Sequence, residues 1–357
     1  MNPRTVAAAD AVGSAAPFDA LIDVRSPSEF AEDHLPGAVN WPVLDDAERH
    51  AIGTLYVQTS PLEARKRGAA LVARRIAEHL DAHVADKPRE WQPLVYCWRG
   101  GQRSGSLALV LAQIGFRTAK LEGGYKAFRA LVRAQLETLP EPLDLRVLCG
   151  RTGSGKTRLL QALAGAGAQV LDLEGLACHR GSILGAMPGR PQPTQKAFDT
   201  RVWHALRGFD PARPVFVESE SAKIGSLRVP PALLARMHGL ARCVRVELDD
   251  AARIRLLQDE YRSFTADPAH LTEQLEALVP VRGRVRVDEW RALARAGDWP
   301  AFIGRLMAEH YDPLYEQSMR RSYPTLAEAP RIDLGDAGSD ALAEAAARLC
   351  APASATA

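Results

Sequence analysis

Two glycine-rich loops constrain this chain more than any other feature, because each stands between an apolar strand and a helix. The first reads Cys97-Trp-Arg-Gly-Gly-Gln-Arg-Ser104 and follows Leu94-Val-Tyr-Cys97. The second reads Gly150-Arg-Thr-Gly-Ser-Gly-Lys-Thr157 and follows Leu145-Arg-Val-Leu-Cys149. A strand that passes through a glycine turn into a helix opens a βα unit, and repeated units build a mainly parallel sheet with helices on its faces. Two such openings in 357 residues point to two α/β domains rather than one core.

The boundary falls at Leu139-Pro-Glu-Pro-Leu-Asp144, where prolines and acids interrupt the apolar elements. The expected division is 1–138, carrying Cys97, and 139–357, a P-loop domain whose C-terminal region is helical. In the first part, Ala20 to Val24 reads as a strand, Leu62 to His83 as a long helix, and Leu107 to Ile114 as a helix stopped by Gly115. In the second, Gln169 to Leu173, Pro214 to Glu218 and Cys243 to Leu248 read as strands, and Ala251 to Arg321 is mostly helical.

Bulk composition narrows the function classes. A chain 46% hydrophobic and 25% charged is not disordered. Its net charge of +2 gives no overall basic field, so any RNA must bind a local patch. The five cysteines lack CxxC spacing, which supports neither a disulfide framework nor a zinc site. Asp10 interrupts the Ala-rich N-terminus and no apolar run is long enough to span a bilayer, so the expected compartment is the cytoplasm.

The chemistry expected of Cys97 follows from its loop. Successive backbone N–H groups curl around the sulfur, and the next helix points its positive end at the same place. Arg99 and Arg103 add formal charge, and Gly100 and Gly101 permit the turns and the close approach of a ligand. A thiol so placed is pushed toward thiolate. A buried packing cysteine is the plain alternative, but it does not need the Gly- and Arg-rich run. Cys149, Cys178, Cys243 and Cys350 lack such surroundings and read as structural.

The second loop matches the Walker A pattern without a mismatch. N–H groups of Gly150, Gly153, Ser154 and Gly155 can cradle a diphosphate, Lys156 can reach its outer phosphate, and Thr157 can ligate Mg²⁺. This argues for a polyphosphate ligand without specifying ATP. Asp172 and Glu218, with Glu174 behind them, are the candidate acids for a metal or a base; each could instead cap a helix or face solvent.

Leu21-Ile-Asp-Val-Arg25, Glu29-Phe30, His34-Leu-Pro-Gly-Ala-Val-Asn40 and the Cys97 loop together resemble the rhodanese superfamily. That resemblance implies a cysteine that carries sulfur or selenium as a persulfide-type intermediate. Five residues separate Cys97 from Arg103, where ordinary sulfurtransferases have four. The longer loop resembles that of Cdc25-type phosphatases and suits a tetrahedral anion such as phosphate or selenophosphate.

The order of parts, a rhodanese-like domain and then this P-loop domain, resembles the tRNA 2-selenouridine synthase family across essentially the whole chain. Leu171-Asp-Leu-Glu-Gly-Leu-Ala177, Val217-Glu-Ser-Glu-Ser221 and His310-Tyr-Asp-Pro-Leu-Tyr315 add to the match, while Cys178 stands where that family is expected to have Asn. The resemblance implies replacement of the sulfur of wobble 2-thiouridine in tRNA by selenium from selenophosphate, by way of S-geranylation with geranyl diphosphate. No tightly bound cofactor is expected beyond Mg²⁺.

Arg253, Arg255 and Arg262 on a helix, and a strand-like Arg282, Arg284 and Arg286, are candidate phosphate contacts, interleaved with enough Asp and Glu to be a salt-bridged surface instead. Trp98 is placed either to stack on a splayed base or to join the core. Taken apart, the two halves also fit a small-molecule kinase or ATPase with an attached phosphatase-like domain, and a sulfurtransferase that uses no selenium. A degenerate binding module fits less well, since Cys97, Arg103 and the whole glycine loop are present.

Overall fold

Pro93–Tyr96 and Val215–Glu218 are buried at every position, as strands covered on both faces must be. The structure, a computed structural model, describes residues 2–13, 16–182, 185–187, 189–239, 241–260 and 268–351. It forms two units, Met1–Leu136 with Pro193–His204, and Glu137–Gln192 with Ala205–Ala357.

In the first unit β1 (Arg4–Val6), β2 (Ala20–Asp23), β3 (Val39–Asn40), β4 (Pro93–Tyr96) and β5 (Ala119–Leu121) make one sheet in the order β1-β5-β4-β2-β3. Every pairing is parallel, with Leu94 of β4 opposite both Leu21 and Ala119. Helices α1 (Ala8–Ala11), α2 (Pro27–Glu32), α3 (Asp46–Gln58), α4 (Pro61–His83), α5 (Gln102–Ile114) and α6 (Gly124–Thr138) connect the strands. One side of the core gathers Ile22, Val24, Trp41, Val95, Leu107, Leu111 and Phe116. The expected helix over 107–114 begins five residues earlier, at Gln102, directly after the glycines.

The second unit holds β6 (Leu145–Cys149), α7 (Lys156–Gly165), β7 (Gln169–Leu171), α8 (Leu173–Ala177), β8 (Val215–Glu218), the short antiparallel pair β9 (Lys223–Ile224) and β10 (Leu227–Arg228), α10 (Pro231–Gly239), β11 (Arg242–Glu247), α11 (Asp250–Glu260) and β12 (Arg331–Asp333); α9 (Gln195–Arg207) stands between α8 and β8 in the sequence. Its sheet runs β12-β11-β6-β8-β7, again all parallel. Both glycine loops therefore leave the C-terminal end of a central strand, β4 or β6, the place where open α/β sheets hold ligands.

Helix α9 is instructive. Sequence order leaves it within the P-loop half, yet as far as His204 it packs in the first unit. Phe198, Val202 and Trp203 are fully buried, Trp203 meets Phe128 edge-on at 5.4 Å, and its Nε1 donates to Gln135 Oε1 at 2.8 Å. Thr200 donates to Asp33 at 3.0 Å, and Arg129 pairs with Asp199.

The C-terminal region is helical, as expected, with its own core of Leu271, Leu275, Leu278, Val287, Trp290, Phe302 and Leu306. Arg282, Arg284 and Arg286 do not form a strand stripe. They lie on helices Val279–Arg282 and Arg284–Ala296, because Val287, Trp290 and Ala294 recur at helical spacing and are buried. No helix among the described residues is long and apolar enough to cross a membrane.

Replacing Trp203 with Ala removes a large buried ring and orphans the Gln135 acceptor. The expected cost is about 3–5 kcal/mol, read as a lower denaturant midpoint for the transition of the first unit. A midpoint within experimental error of wild type would show that α9 does not belong to that unit's cooperative core.

Candidate functional sites

Cys97 is the first residue beyond β4, and the loop it opens is shaped by glycines at two places in the chain. Gly100 has φ +66°, and a Cβ there would lie 2.7 Å from the Leu121 carbonyl oxygen. Gly124 has φ +58°, and its Cβ would lie 2.2 Å from the Cys97 carbonyl oxygen and 2.5 Å from the Gly100 nitrogen. The start of α6 thus lies flat against the Cys97 loop, and Tyr125 N donates to Cys97 O at 2.8 Å while Lys126 N donates to Trp98 O at 3.0 Å. Gly123 and Gly124 were not foreseen; a Gly-Gly pair entering a helical pattern was the available signal.

The thiol is buried, with Sγ 3.2 Å from Ser104 Oγ, on the first turn of α5. Arg103, expected to lend its charge to the sulfur, instead donates to Glu29 Oε2 at 2.7 Å. Burial would raise the Glu29 pKa, but the Arg103 hydrogen bond and charge hold it below the usual carboxylate value. Arg49 also approaches Glu29, at 3.8 Å, beside a cleft of about 560 Å³ lined by Ser28, Glu29, Arg49 and His50. Arg99 and Gly101 are exposed at the loop's rim.

Beneath this loop lies a buried polar frame. Arg25 is fully buried, bonded to Asp23 at 2.6 Å and to the Asp33 carbonyl at 2.6 Å, with its guanidinium 4.0 Å from the centre of the Tyr125 ring. Tyr125 donates to Asp33 at 2.8 Å. Burial raises the Asp33 pKa even so, against the lowering effect of its hydrogen bonds from Tyr125 and Thr200.

In the second unit the Walker A residues form the expected turn. Gly153 and Gly155 have φ of +75° and +84°; Cβ atoms there would strike Leu257 and Leu334 at 2.8–2.9 Å. At Gly150 a Cβ would come 2.6 Å from the Val246 carbonyl oxygen. Lys156 donates to the Gly150 and Arg151 carbonyl oxygens at 2.6 and 3.2 Å, so its ammonium is held at the loop.

Arg253, a candidate RNA contact on sequence grounds, braces this loop instead. It is fully buried, donates to the Thr152 carbonyl at 3.0 and 2.8 Å, and pairs with Asp312 at 2.6 Å. Asp312 also meets Arg151 at 3.2 Å. It lies directly after a π-helical turn, Met307–Tyr311, of the kind that often re-aims residues near functional sites. Arg282 donates to His310, and Arg284 and Arg286 pair with Glu276 and Glu309. Arg255 is exposed, and Arg262 lies outside the described residues.

The candidate acids sort themselves. Asp172 caps α8, accepting from Gly175 N at 2.7 Å. Glu174, Glu218 and Glu220 converge, with one carboxylate oxygen of each within 4.8 Å of the others. Burial and the repulsion of its neighbours push Glu174 up to about 10 and Glu220 up to about 8. Glu218 is 4% exposed, and burial raises its pKa too, against the pull of Lys156 and Thr157. Its Oε1 is buried without a hydrogen-bond partner among the described residues. Hard carboxylate oxygens beside the Thr157 hydroxyl are the donor set a magnesium ion takes. Glu220 was missed: it lies two residues past the strand, where sequence shows only alternating Glu and Ser.

The chain matches two family models, "Rhodanese-like domain" over residues 7–131 and "tRNA 2-selenouridine synthase AAA domain" over residues 143–279. It is similar to the tRNA 2-selenouridine synthase of a Sulfurovum species, with 34% identity over 85% of this chain and 89% of the relative. The synthase of Alcanivorax borkumensis is 32% identical over 86% and 91% of the two chains, and that of Chromohalobacter salexigens 34% over 85% and 88%.

The raised carboxyl pKa values set a pH dependence. An unfolded Glu titrates near pH ~4.3, so below that both states are protonated and the contribution of these groups to stability is fully present. As pH climbs toward the folded values of about 8 and about 10, the unfolded chain releases protons that the folded unit keeps, and stability falls. In chelator, the melting temperature of the second unit should drop between about pH 5 and pH 9, and Glu220→Gln should flatten the drop. An unaltered slope in that variant would mean that Glu220 ionises freely in the folded state.

Proposed function

Because this chain belongs to the tRNA 2-selenouridine synthase family, we propose that it replaces the sulfur of wobble 2-thiouridine in tRNA with selenium from selenophosphate, through an S-geranyl intermediate made with geranyl diphosphate. The observation that carries this reading is the match along both halves together with an intact reactive loop in each. The enzyme is then a transferase acting in the cytoplasm.

The two loops divide the work. A ring thiocarbonyl is a poor leaving group, and alkylating its sulfur makes it an acceptable one. Gly150, Gly153, Ser154 and Gly155 offer backbone N–H groups to the diphosphate, and Lys156 turns from the loop carbonyls to the departing pyrophosphate. Thr157 and Glu218, joined by Glu174 and Glu220, would hold magnesium; Asp172 sets the start of α8, which carries Glu174. Charge on the leaving group would be offset by such an ion when bound. A cavity of about 860 Å³ adjoins Arg151 and Ser154 of the loop, and Leu248, Met319 and Leu326 line it together with charged groups such as Glu247, Asp249 and Arg320.

In the first unit, the Cys97 thiolate attacks the selenium of selenophosphate, and the Se–P bond breaks with its electron pair leaving on phosphorus as phosphite. The outer selenium then attacks C2 of the activated uracil, where the C2–Se bond forms as the C2–S bond breaks and the alkyl thiolate leaves. An external thiol cleaves the remaining S–Se bond, which leaves selenium on the base and Cys97 in a disulfide with that thiol. Arg99 and the backbone of Gly100 and Gly101 receive the tetrahedral donor, and Arg103 exchanges its contact with Glu29 for the same anion.

Intact-protein mass spectrometry after incubation with selenophosphate, wild type beside Cys97→Ala, tests the carrier step. A selenium adduct confined to the wild type is expected. Lys156→Ala should lose geranyl transfer to thiolated tRNA by about 10²-fold or more while still loading selenium. No adduct on demonstrably reduced wild-type protein would overturn the role of Cys97, and loss of loading with intact geranyl transfer in Lys156→Ala would overturn the division of labour.

A further inference from the structure

We propose that Trp98 is the stacking platform for the acceptor base of the RNA, with the Lys126 ammonium as its phosphate contact. The inference rests on the reading that a tRNA base is the acceptor at Cys97.

Four of the six tryptophans, Trp41, Trp91, Trp203 and Trp290, are buried. Trp299 is half-buried against Phe302, within the helical core. Trp98 is half-buried as well, but it is the residue next to the reactive cysteine. An indole left partly in water there gives up burial that a smaller residue would not forgo.

Its position is rigid. The indole leans on the Tyr125 ring with centroids 5.4 Å apart and planes at 32°. Tyr125 is fixed by its hydroxyl on Asp33 and by the buried Arg25 guanidinium at 4.0 Å from its ring. The backbone bond from Lys126 N to Trp98 O ties the loop to α6 at this residue. A preformed aromatic surface loses little entropy when a flat ring settles on it, and single-stranded RNA offers such rings once a base is splayed out.

The charge nearby has the matching sign. Arg99 and Lys126, one in sequence beside Trp98 and one bonded to its carbonyl through the backbone N–H, are both exposed, and neither forms an ion pair among the described residues. Arg103 and Arg129, by contrast, are paired with Glu29 and Asp199. Two exposed cations on the same loop and helix start as the indole suit a nucleotide, with its ring on the indole and its phosphate at a cation.

Binding by the full chain to an anticodon stem-loop carrying wobble 2-thiouridine, and to the same RNA with an abasic wobble position, tests the platform. Trp98→Leu should weaken the first complex by about 5- to 100-fold and leave the abasic complex unmoved, while Trp98→Phe should keep most of the affinity. Lys126→Ala should weaken both RNAs and lower the slope of log K against log salt by about one contact's worth. If Trp98→Leu binds thiolated RNA like wild type, or weakens both RNAs equally, the platform is overturned. The assay needs no selenium donor, so a failed carrier step leaves it standing. Wild-type protein that binds neither RNA would sink the underlying reading along with the platform.

Discussion

The Cys97 loop exists because two backbones touch. A side chain at Gly124 would place carbon 2.2 Å from the carbonyl oxygen of Cys97, and one at Gly100 would meet the carbonyl of Leu121. With neither present, the entrance of α6 closes over the turn, and its N–H groups satisfy the Cys97 and Trp98 carbonyls. The chemistry assigned to this loop depends on that absence of two methyl groups.

The phosphate loop is held from outside by charge. Arg253 is taken wholly out of water, at a cost that only full pairing offsets, and it spends its donors on the Thr152 carbonyl, Asp250 and Asp312. Asp312 comes from the far side of the sequence, after the π-helical turn. The arrangement ties the helical C-terminal region to the phosphate loop through Asp312, which meets both Arg253 and Arg151. Across the loop, three carboxyls crowd one place, and burial raises the pKa of each above the usual carboxylate value. A site that suppresses its own ionisation is one that a cation or a proton transfer can exploit.

The Arg103–Glu29 pair shows how a site can be legible while its electrostatics are not. Both residues stand out in the sequence, one in the cysteine loop and one in the motif after the second strand. Their spacing of more than seventy positions says nothing of contact. Folding brings them to 2.7 Å, and the cation expected at the sulfur becomes half of an ion pair. Arg253 likewise reads as one more surface arginine until burial assigns it.

Much was fixed locally. Apolar strands followed by glycine turns and helices specify parallel α/β units, since the glycine positions and the periodicities need no distant partner to be read. Cys97, the Walker loop, Asp172 and Glu218 were all visible on that basis, as was the two-part order of the chain. What only tertiary structure decided are the matters set by distance between residues remote in sequence. These are the docking of α9 through Trp203, the seal by Gly124, the convergence of Glu174 and Glu220 on Glu218, and the burial of Arg253. The physical reason is common to them. Local sequence determines backbone conformation, whereas burial and charge pairing are properties of neighbours that the chain acquires only on folding.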